Sequence, residues 1–284
     1  MPQINWYPGH MAKTKRELET LLRAADAVIE LCDARAPLAT RNPDLGAMCK
    51  GKARFLALNK ADLADEKETK AWISRLNDMG LPAVSFQAVG TGGRSRMLRL
   101  AEEAARPAIE RMKVRGAMKT ARIMVIGIPN VGKSTFINTL RGKAIARSGD
   151  KPGVTRSTQW IRISPYLELL DTPGMLWPKI ESQEQARLLG YIGSIRDETM
   201  DLEDLAASLL SLLGDIAPED IKTRFRFPEG MTGKEEGWML LEAACRGRGW
   251  LLSGGRLDTA RASAVILDEF RAGRIGRITL EKAR

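Results

Sequence analysis

The chain has 284 residues, of which 44% are hydrophobic and 28% are charged, and its formal net charge is +10. A chain of this size buries a substantial core, and its length indicates one large domain with a smaller one. The surplus of Lys and Arg favours a polyanionic partner, although a basic protein without such a partner has the same composition. The three scattered cysteines fit neither a disulfide framework nor a zinc site, which favours a reducing compartment.

The ends and the apolar runs give no sign of a membrane protein. Residues 1–18 lack the apolar core of a signal peptide, and the run at 205–213 is too short to span a bilayer. We therefore expect a cytoplasmic protein with no membrane partner, and we expect it to be a monomer.

Apolar runs that end at polar or glycine residues recur through the first part of the chain. They are AVIELC before Asp33, ARFLAL before Asn59, PAVSF before Gln87 and ARIMVI before Gly127. Segments of helical periodicity, at 66–79 and 94–106, separate them. This alternation predicts an α/β fold with a parallel sheet wrapped by helices. The stretches TQWIRI and LELL, joined by a Ser-Pro turn, predict an antiparallel pair that leads into DTPG.

The strand pattern stops near Trp177-Pro178. Amphipathic segments at 201–213, 237–246 and 259–273 then predict a small helical domain. The stretch RGRGWLLSGGR at 246–256 is typical of a flexible basic loop. The expected division is 1–178 and 179–284.

The segment GIPNVGKS at 127–134 fits the phosphate-loop pattern G-x-x-x-x-G-K-[ST]. It lies between a predicted strand and a predicted helix, which is the context that this motif requires. Its glycines let backbone N–H groups approach phosphates, and the helix N-terminus adds positive potential. Lys133 is expected to reach the β and γ phosphates, and the Ser134 hydroxyl to bind Mg²⁺.

Two further segments extend this site. Asp171 of DTPG, at a predicted strand end, is placed to hold Mg²⁺ through water, and Gly174 to donate its N–H to the γ-phosphate. In isolation DTPG would be an ordinary turn, but its position after the phosphate loop favours the functional interpretation. Thr155, in the Gly/Pro-rich KPGVTR, is a candidate switch residue that closes on Mg²⁺ when the third phosphate is present.

The tetrapeptide NKAD at 59–62 follows the predicted strand RFLAL. An Asn side chain pairs with the O6/N7 edge of a purine, and a Lys stem covers the base. Asp62 accepts hydrogen bonds from guanine N1–H and the 2-amino group, which adenine lacks. The motif therefore predicts selection of GTP over ATP.

The order NKAD, SFQA (85–88), GIPNVGKS, KPGVTR and DTPG resembles the circularly permuted GTPases. With the flanks WYPGHMAKTKREL, LCDARAPLATRNP and LDEFRAGRIGRITLE, the chain is similar to the ribosome biogenesis GTPase A (YlqF/RbgA) family over nearly its whole length. The resemblance implies a permuted Ras-like domain, a small helical domain that binds RNA, and late assembly of the large (50S) ribosomal subunit. The expected partners are GTP or GDP and the large-subunit precursor with its rRNA and ribosomal proteins.

The predicted site combines the motifs with this resemblance. The GTP-binding residues are Asn59, Lys60, Ala61, Asp62, Gln87, Ala88, Asn130, Val131, Gly132, Lys133, Ser134, Thr135, Thr155 and Gly174; the Mg²⁺ residues are Ser134, Thr155 and Asp171. The sequence departs from common GTPases at Met175, where many have a catalytic Gln, and at Gln87-Ala88, where a Ser-Ala pair usually faces guanine O6. The resemblance implies that Asn130 helps to bind K⁺ and that His10 positions the attacking water.

Three functions remain open from the residues alone. The first is a GTPase that docks on a ribosomal precursor, supported by a C-terminal arginine set that is suited to rRNA phosphates. This arginine set is Arg246, Arg248, Arg256, Arg261, Arg271, Arg274 and Arg277. The same residues are equally expected on solvated helix faces. The other two functions are an RNA-binding scaffold with a structural nucleotide and a small-molecule kinase, but no acceptor pocket with a base supports the kinase.

Overall fold

A computed structural model of the chain describes residues 16, 18–87, 93–114, 120–141, 159–172, 180 and 182–283. Within these ranges six strands form one sheet, in the order β3-β2-β1-β4-β6-β5. The strands are β1 (Ala27–Asp33), β2 (Ala53–Asn59), β3 (Ala83–Ser85), β4 (Ala121–Gly127), β5 (Gln159–Ser164) and β6 (Leu167–Asp171). All neighbours are parallel except β5 and β6, which are antiparallel. The predicted α/β fold and the predicted β5–β6 pair are confirmed.

Helices cover both faces of this sheet. They are α1 (Leu45–Met48), α2 (Glu66–Asp78), α3 (Gly93–Val114) and α4 (Lys133–Arg141), and residues 18–24 are also helical. Along β1, Ile29 and Leu31 pack on the side of α3 and α4, whereas Val28 faces the helical residues 18–24. Because the strands are buried on both faces, their sequences are continuous apolar runs.

Helix α3 is longer than its periodicity indicates. The periodicity predicts a helix over 94–106, and the next residue is Pro107, which removes one backbone hydrogen bond inside a helix. The helix nevertheless continues to Val114. Ala104 and Ala105 are buried in the core with the sheet, and Ala108 is also buried, so tertiary packing outweighs the cost of the proline.

The C-terminal region is helical, as predicted. Its helices are α5 (Gln183–Tyr191), α6 (Leu202–Ile216), α7 (Pro218–Phe225), α8 (Gly237–Arg248) and α9 (Thr259–Arg271), with one 3₁₀ turn at Asp197–Thr199. Helix α6 is the most apolar of them, and its buried leucines pack against α8 and α9. Within the described ranges, no helix has the length and apolar character needed to cross a membrane.

The prediction of a flexible loop at 246–256 is partly wrong. Arg246 and Arg248 lie in the last turn of α8, which ends at Gly249 in the left-handed conformation (φ 66°). Trp250 is buried against Phe225, with ring centroids 6.4 Å apart. A bridge between Leu251 and Leu257 then closes a short hairpin. The buried indole fixes a segment whose composition alone suggests flexibility.

Candidate nucleotide site

The phosphate loop occupies residues 128–132, between the end of β4 and the start of α4. Asn130 (φ 60°) and Gly132 (φ 98°) both adopt left-handed conformations. Such alternation of backbone handedness turns successive N–H groups toward one point, which creates a concave anion site. The predicted strand–loop–helix context of the motif is confirmed.

Lys133 lies inside the curve of this loop. Its side chain is buried, and Nζ donates to the carbonyl oxygens of Gly127 (2.9 Å) and Ile128 (3.0 Å). The ammonium group therefore lies at the loop, where the predicted phosphate contact requires it. Ser134 and Thr135 follow in the first turn of α4, and both are half-buried.

The NKAD segment reaches the phosphate loop through Asn59. This residue ends β2 and is buried, and its Nδ2 donates to the carbonyl oxygen of Val131 at 2.8 Å. A side-chain carbon at Gly132 would overlap the Asn59 amide. The two motifs are far apart in sequence, yet the sheet brings them into contact because β2 and β4 both flank β1 and end at the same edge.

Lys60 is held beside this contact by Asp33, the last residue of β1. Lys60 has a left-handed backbone (φ 59°), and its Nζ lies 3.1 Å from Asp33 Oδ2. Arg35 pairs with the same carboxylate, at 2.9 Å for both Nε and Nη2. Burial opposes ionisation of Asp33, but the charges of Arg35 and Lys60 outweigh it and hold the pKa of Asp33 well below its usual range.

Arg35 extends this network to the helical region. It is 1% exposed, and its Nη1 donates to the carbonyl oxygens of Phe270 (3.3 Å) and Arg271 (3.1 Å) at the end of α9. A guanidinium at a helix C-terminus satisfies carbonyls that have no partner in the helix. Sequence reasoning gave Asp33 and Arg35 no role in the site, although an acid at a buried strand end followed two residues later by Arg was the available signal.

The phosphate loop also touches the helical region directly. Asn130 Nδ2 donates to the carbonyl oxygen of Gly193 at 2.7 Å, and Ser194 Oγ donates to that of Pro129 at 3.0 Å. Arg271 donates to the carbonyl oxygens of Gly190 and Tyr191, the last two residues of α5. The loop is therefore bonded both to NKAD and to the segment that follows α5.

The remaining predicted residues are only partly described. Asp171 ends β6 in register with Val125 of β4, and the next residue, Thr172, donates its hydroxyl to the Val125 carbonyl at 2.9 Å. Gln87 is exposed after β3, and the Ala61 N–H donates to the Phe86 carbonyl at 3.3 Å. Four predicted residues lie outside the described part of the chain: His10, Ala88, Thr155 and Gly174.

The arginine set does not form one exposed surface. Arg271 pairs with Asp197 at 2.7 Å, and Arg248 lies 3.6 Å from Glu269 and over the Trp250 ring. Arg277 donates to two carbonyl groups of the loop that follows NKAD. The members with exposed side chains are Arg246, Arg256, Arg261, Arg274 and Arg277.

Comparison with known proteins agrees with these motifs. A family model described as "50S ribosome-binding GTPase" matches residues 122–222, which begin at the phosphate-loop strand and leave out NKAD. "Ribosome biogenesis GTPase A" of Bacillus cereus is 40% identical over 279 residues, covering 98% of this chain and 93% of that protein. "Mitochondrial ribosome-associated GTPase 1" of mouse is 35% identical, covering 98% of this chain and 90% of that protein.

A solved structure shares the fold. The crystal structure of GNP-bound YlqF from Thermotoga maritima superposes with a TM-score of 0.65 and 29% sequence identity, over 96% of this chain and 99% of that one. The sheet order, the phosphate loop and the upstream NKAD define a circularly permuted phosphate-loop GTPase. More narrowly, the chain belongs to the ribosome biogenesis GTPase A family.

Proposed function

We propose that this GTPase reads guanine with NKAD and holds the phosphates with the loop at 127–134. One observation carries the proposal: the 2.8 Å hydrogen bond from Asn59 to Val131, which joins the base-reading motif to the phosphate-binding motif. Asp62, three residues after Asn59 in the chain, is exposed and available to a base. In this arrangement Lys133 and the backbone of Gly132 meet the phosphates.

Mg²⁺ fits the residues that are proposed to hold it. The Ser134 hydroxyl and the Asp171 carboxylate are hard oxygen donors, which Mg²⁺ prefers, together with phosphate oxygens and water. Thr155 is the third proposed residue. When bound, Mg²⁺ supplies positive charge against the β and γ phosphates. K⁺ is the second proposed ion, with the amide oxygen of Asn130 as its protein ligand, because the amide nitrogen already donates to Gly193.

The proposed biological role is late maturation of the large (50S) ribosomal subunit, in the cytoplasm and as a monomer. The names of the relatives support the ribosomal role, since they describe a ribosome biogenesis GTPase and a mitochondrial ribosome-associated GTPase. We further propose that residues 1–178 hydrolyse GTP while residues 179–284 bind rRNA or ribosomal protein. GTP binding then controls affinity for the precursor particle.

Hydrolysis must proceed without a catalytic glutamine, since Met175 follows DTPG and a thioether does not orient water. We propose that His10 positions the water once the large subunit is bound. In this scheme His10→Ala leaves GTP affinity nearly unchanged and removes most of the turnover that the subunit stimulates, because the contact is made mainly in the transition state. Full stimulated turnover in His10→Ala would show that another group orients the water.

Multiple-turnover GTP hydrolysis, with and without purified large subunits, tests the function. Wild-type protein is expected to be stimulated by the subunits, and Lys133→Ala to lose hydrolysis because it removes a direct phosphate contact. Lys70→Ala is the matched control: Lys70 is exposed and, among the residues that the structure describes, pairs only with Glu66, so the rate of this variant should be native. Hydrolysis by Lys133→Ala at the native rate would refute the site, and an RNA-binding scaffold would show no stimulated turnover.

A further inference from the structure

The last residues of the chain lie along the loop that follows NKAD. This C-terminal strap, residues 275–283, has no regular secondary structure, yet Ile278, Thr279 and Leu280 are all buried. The Ile278 N–H donates to the Leu63 carbonyl at 3.1 Å, and Thr279 Oγ1 accepts from the Asp65 N–H at 3.1 Å. The strap therefore pairs with the 63–65 backbone much as a short strand would.

Arg277 of the strap bonds the backbone on both sides of Asp62, the residue that is proposed to select guanine. Its Nη2 donates to the Ala61 carbonyl and its Nε to the Ala64 carbonyl, each at 3.1 Å. These two carbonyls lie on either side of Asp62. A planar guanidinium that holds both of them fixes the backbone that carries the Asp62 carboxylate.

The far end of the strap is anchored to the loop that follows β1 and to α2. The Leu280 N–H donates to the Arg35 carbonyl at 2.7 Å, and the Trp72 indole donates to the Glu281 carbonyl at 2.8 Å. The Glu281 carboxylate accepts the N–H groups of Leu38 (2.7 Å) and Ala39 (3.0 Å). With Asp33 holding Lys60, the base-reading loop is fixed from both sides by contacts distant in sequence.

We propose that the C-terminal strap is a positioning element for guanine recognition and that Arg277 is its principal positioning residue. The inference rests on the proposed role of NKAD in reading guanine. Because coupling between two binding events is reciprocal, a base bound at Asp62 stabilises docking of the strap, and any force that lifts the strap weakens nucleotide binding. The strap thereby links the end of the helical region to nucleotide affinity.

The test compares Arg277→Met with Arg274→Met. Arg274 is an exposed arginine just before the strap, and among the described residues its side chain has no hydrogen bond or ion pair, so the control removes the same charge. Dissociation constants for GDP and IDP are measured for both variants, since IDP lacks the 2-amino group that Asp62 is proposed to bind. Arg277→Met should lower the preference for GDP over IDP about fivefold, as expected for a misplaced hydrogen-bond acceptor. Arg274→Met should keep the native preference.

A purely structural role for Arg277 would lower the melting temperature and leave the GDP-to-IDP ratio unchanged, and that result would overturn the proposal. Asp62→Asn separates this failure from failure of the site itself, because an amide should shift preference from GDP to XDP. If Asp62→Asn shifts preference and Arg277→Met changes nothing, only the strap proposal is lost. If Asp62→Asn does not shift preference, the assignment of NKAD is wrong and the strap proposal fails with it.

Discussion

At the residue scale, Gly132 and Asn59 constrain one another although they belong to different motifs. Gly132 needs its left-handed backbone for the phosphate loop, and it must lack a side chain because the Asn59 amide occupies that space. The buried Asn59 amide in turn donates to the Val131 carbonyl, and loss of a buried hydrogen bond costs free energy. Each motif is therefore required for the geometry of the other.

Gly132→Ala should lose nucleotide binding, because the new methyl group overlaps the Asn59 amide and separates the two motifs. Gly80→Ala is the matched control: Gly80 also has a positive φ (71°), but nothing lies within 4 Å of the position of an added methyl group. Backbone strain should lower the unfolding free energy of both variants by about 1 kcal/mol, and the overlap should lower that of Gly132→Ala further. Isothermal titration with GDP separates them, and native affinity in Gly132→Ala would contradict the packing argument.

Asn59→Ala removes the hydrogen bond to Val131 and the proposed contact with the base. Asn77→Ala removes a side chain–backbone bond of the opposite direction, from the Ala83 N–H to Asn77 Oδ1 at 2.9 Å, at the end of α2 that is farther along the chain from NKAD. Each should lower the unfolding free energy by about 1 kcal/mol. Only Asn59→Ala should weaken GDP binding, by roughly tenfold or more. Equal GDP affinity in the two variants, measured by fluorescence titration, would remove Asn59 from the site.

The motifs were predictable at this scale because their chemistry is local in sequence. GIPNVGKS carries glycines, an amide and a lysine in fixed order, NKAD carries an amide and two charges, and the strands before them are continuous apolar runs. Asp33 and Arg35 were missed because their role depends on partners distant in sequence. Arg35 donates to carbonyl groups of α9 more than two hundred residues away, and the periodicity of a sequence does not predict such a contact.

At the element scale, the contacts of the strap were also not predictable from the sequence. Two of its contacts use the backbone N–H groups of Ile278 and Leu280, so the side-chain sequence carries little signal for them. Helices α6, α8 and α9 were predictable from their apolar stripes. Helix α3 was predicted too short, because tertiary packing on both sides of Pro107 is stronger than the local preference of that residue.

Glu281 should make docking of the strap depend on pH. Burial raises the pKa of Glu281 to about 7, although the hydrogen bonds from two backbone N–H groups oppose this shift. The folded protein therefore holds this proton more tightly than the unfolded chain, so the stability that it contributes is complete below pH about 4.5 and is lost as pH rises to about 7. Unfolding free energies of wild type and Glu281→Ala, measured by urea titration at several pH values, test this.

Between pH 4.5 and 7, the unfolding free energy of wild type should fall on the order of 2 kcal/mol further than that of Glu281→Ala. Glu66→Ala serves as the control, because Glu66 lies on the exposed start of α2 and its pKa is lowered by its hydrogen bond to Lys70, so its effect has the opposite sign. Parallel pH profiles for wild type and Glu281→Ala would show that Glu281 ionises normally and does not govern the strap.

At the scale of the whole molecule, the positive charge is unevenly divided. Residues 1–178 contain 29 Lys and Arg against 17 Asp and Glu, whereas residues 179–284 contain 16 against 18. The net charge of +10 therefore comes from the GTPase part, and the helical part is slightly acidic. If the helical part binds rRNA, it must do so through a local patch, because its total charge does not attract a phosphate backbone.

The hairpin after α8 is the best local patch, since it carries Arg256 on an exposed turn between the exposed Leu251 and Leu252 and the start of α9. Arg256→Ala should lower the slope of log affinity for the large-subunit precursor against log salt by about one unit, as expected for one lost phosphate contact. Lys222→Ala removes the same charge from the acidic half, where Lys222 pairs with Glu219, and should leave the slope unchanged. Equal slopes for wild type and both variants would mean that the hairpin touches protein instead of RNA, and that the basic GTPase part makes the phosphate contacts.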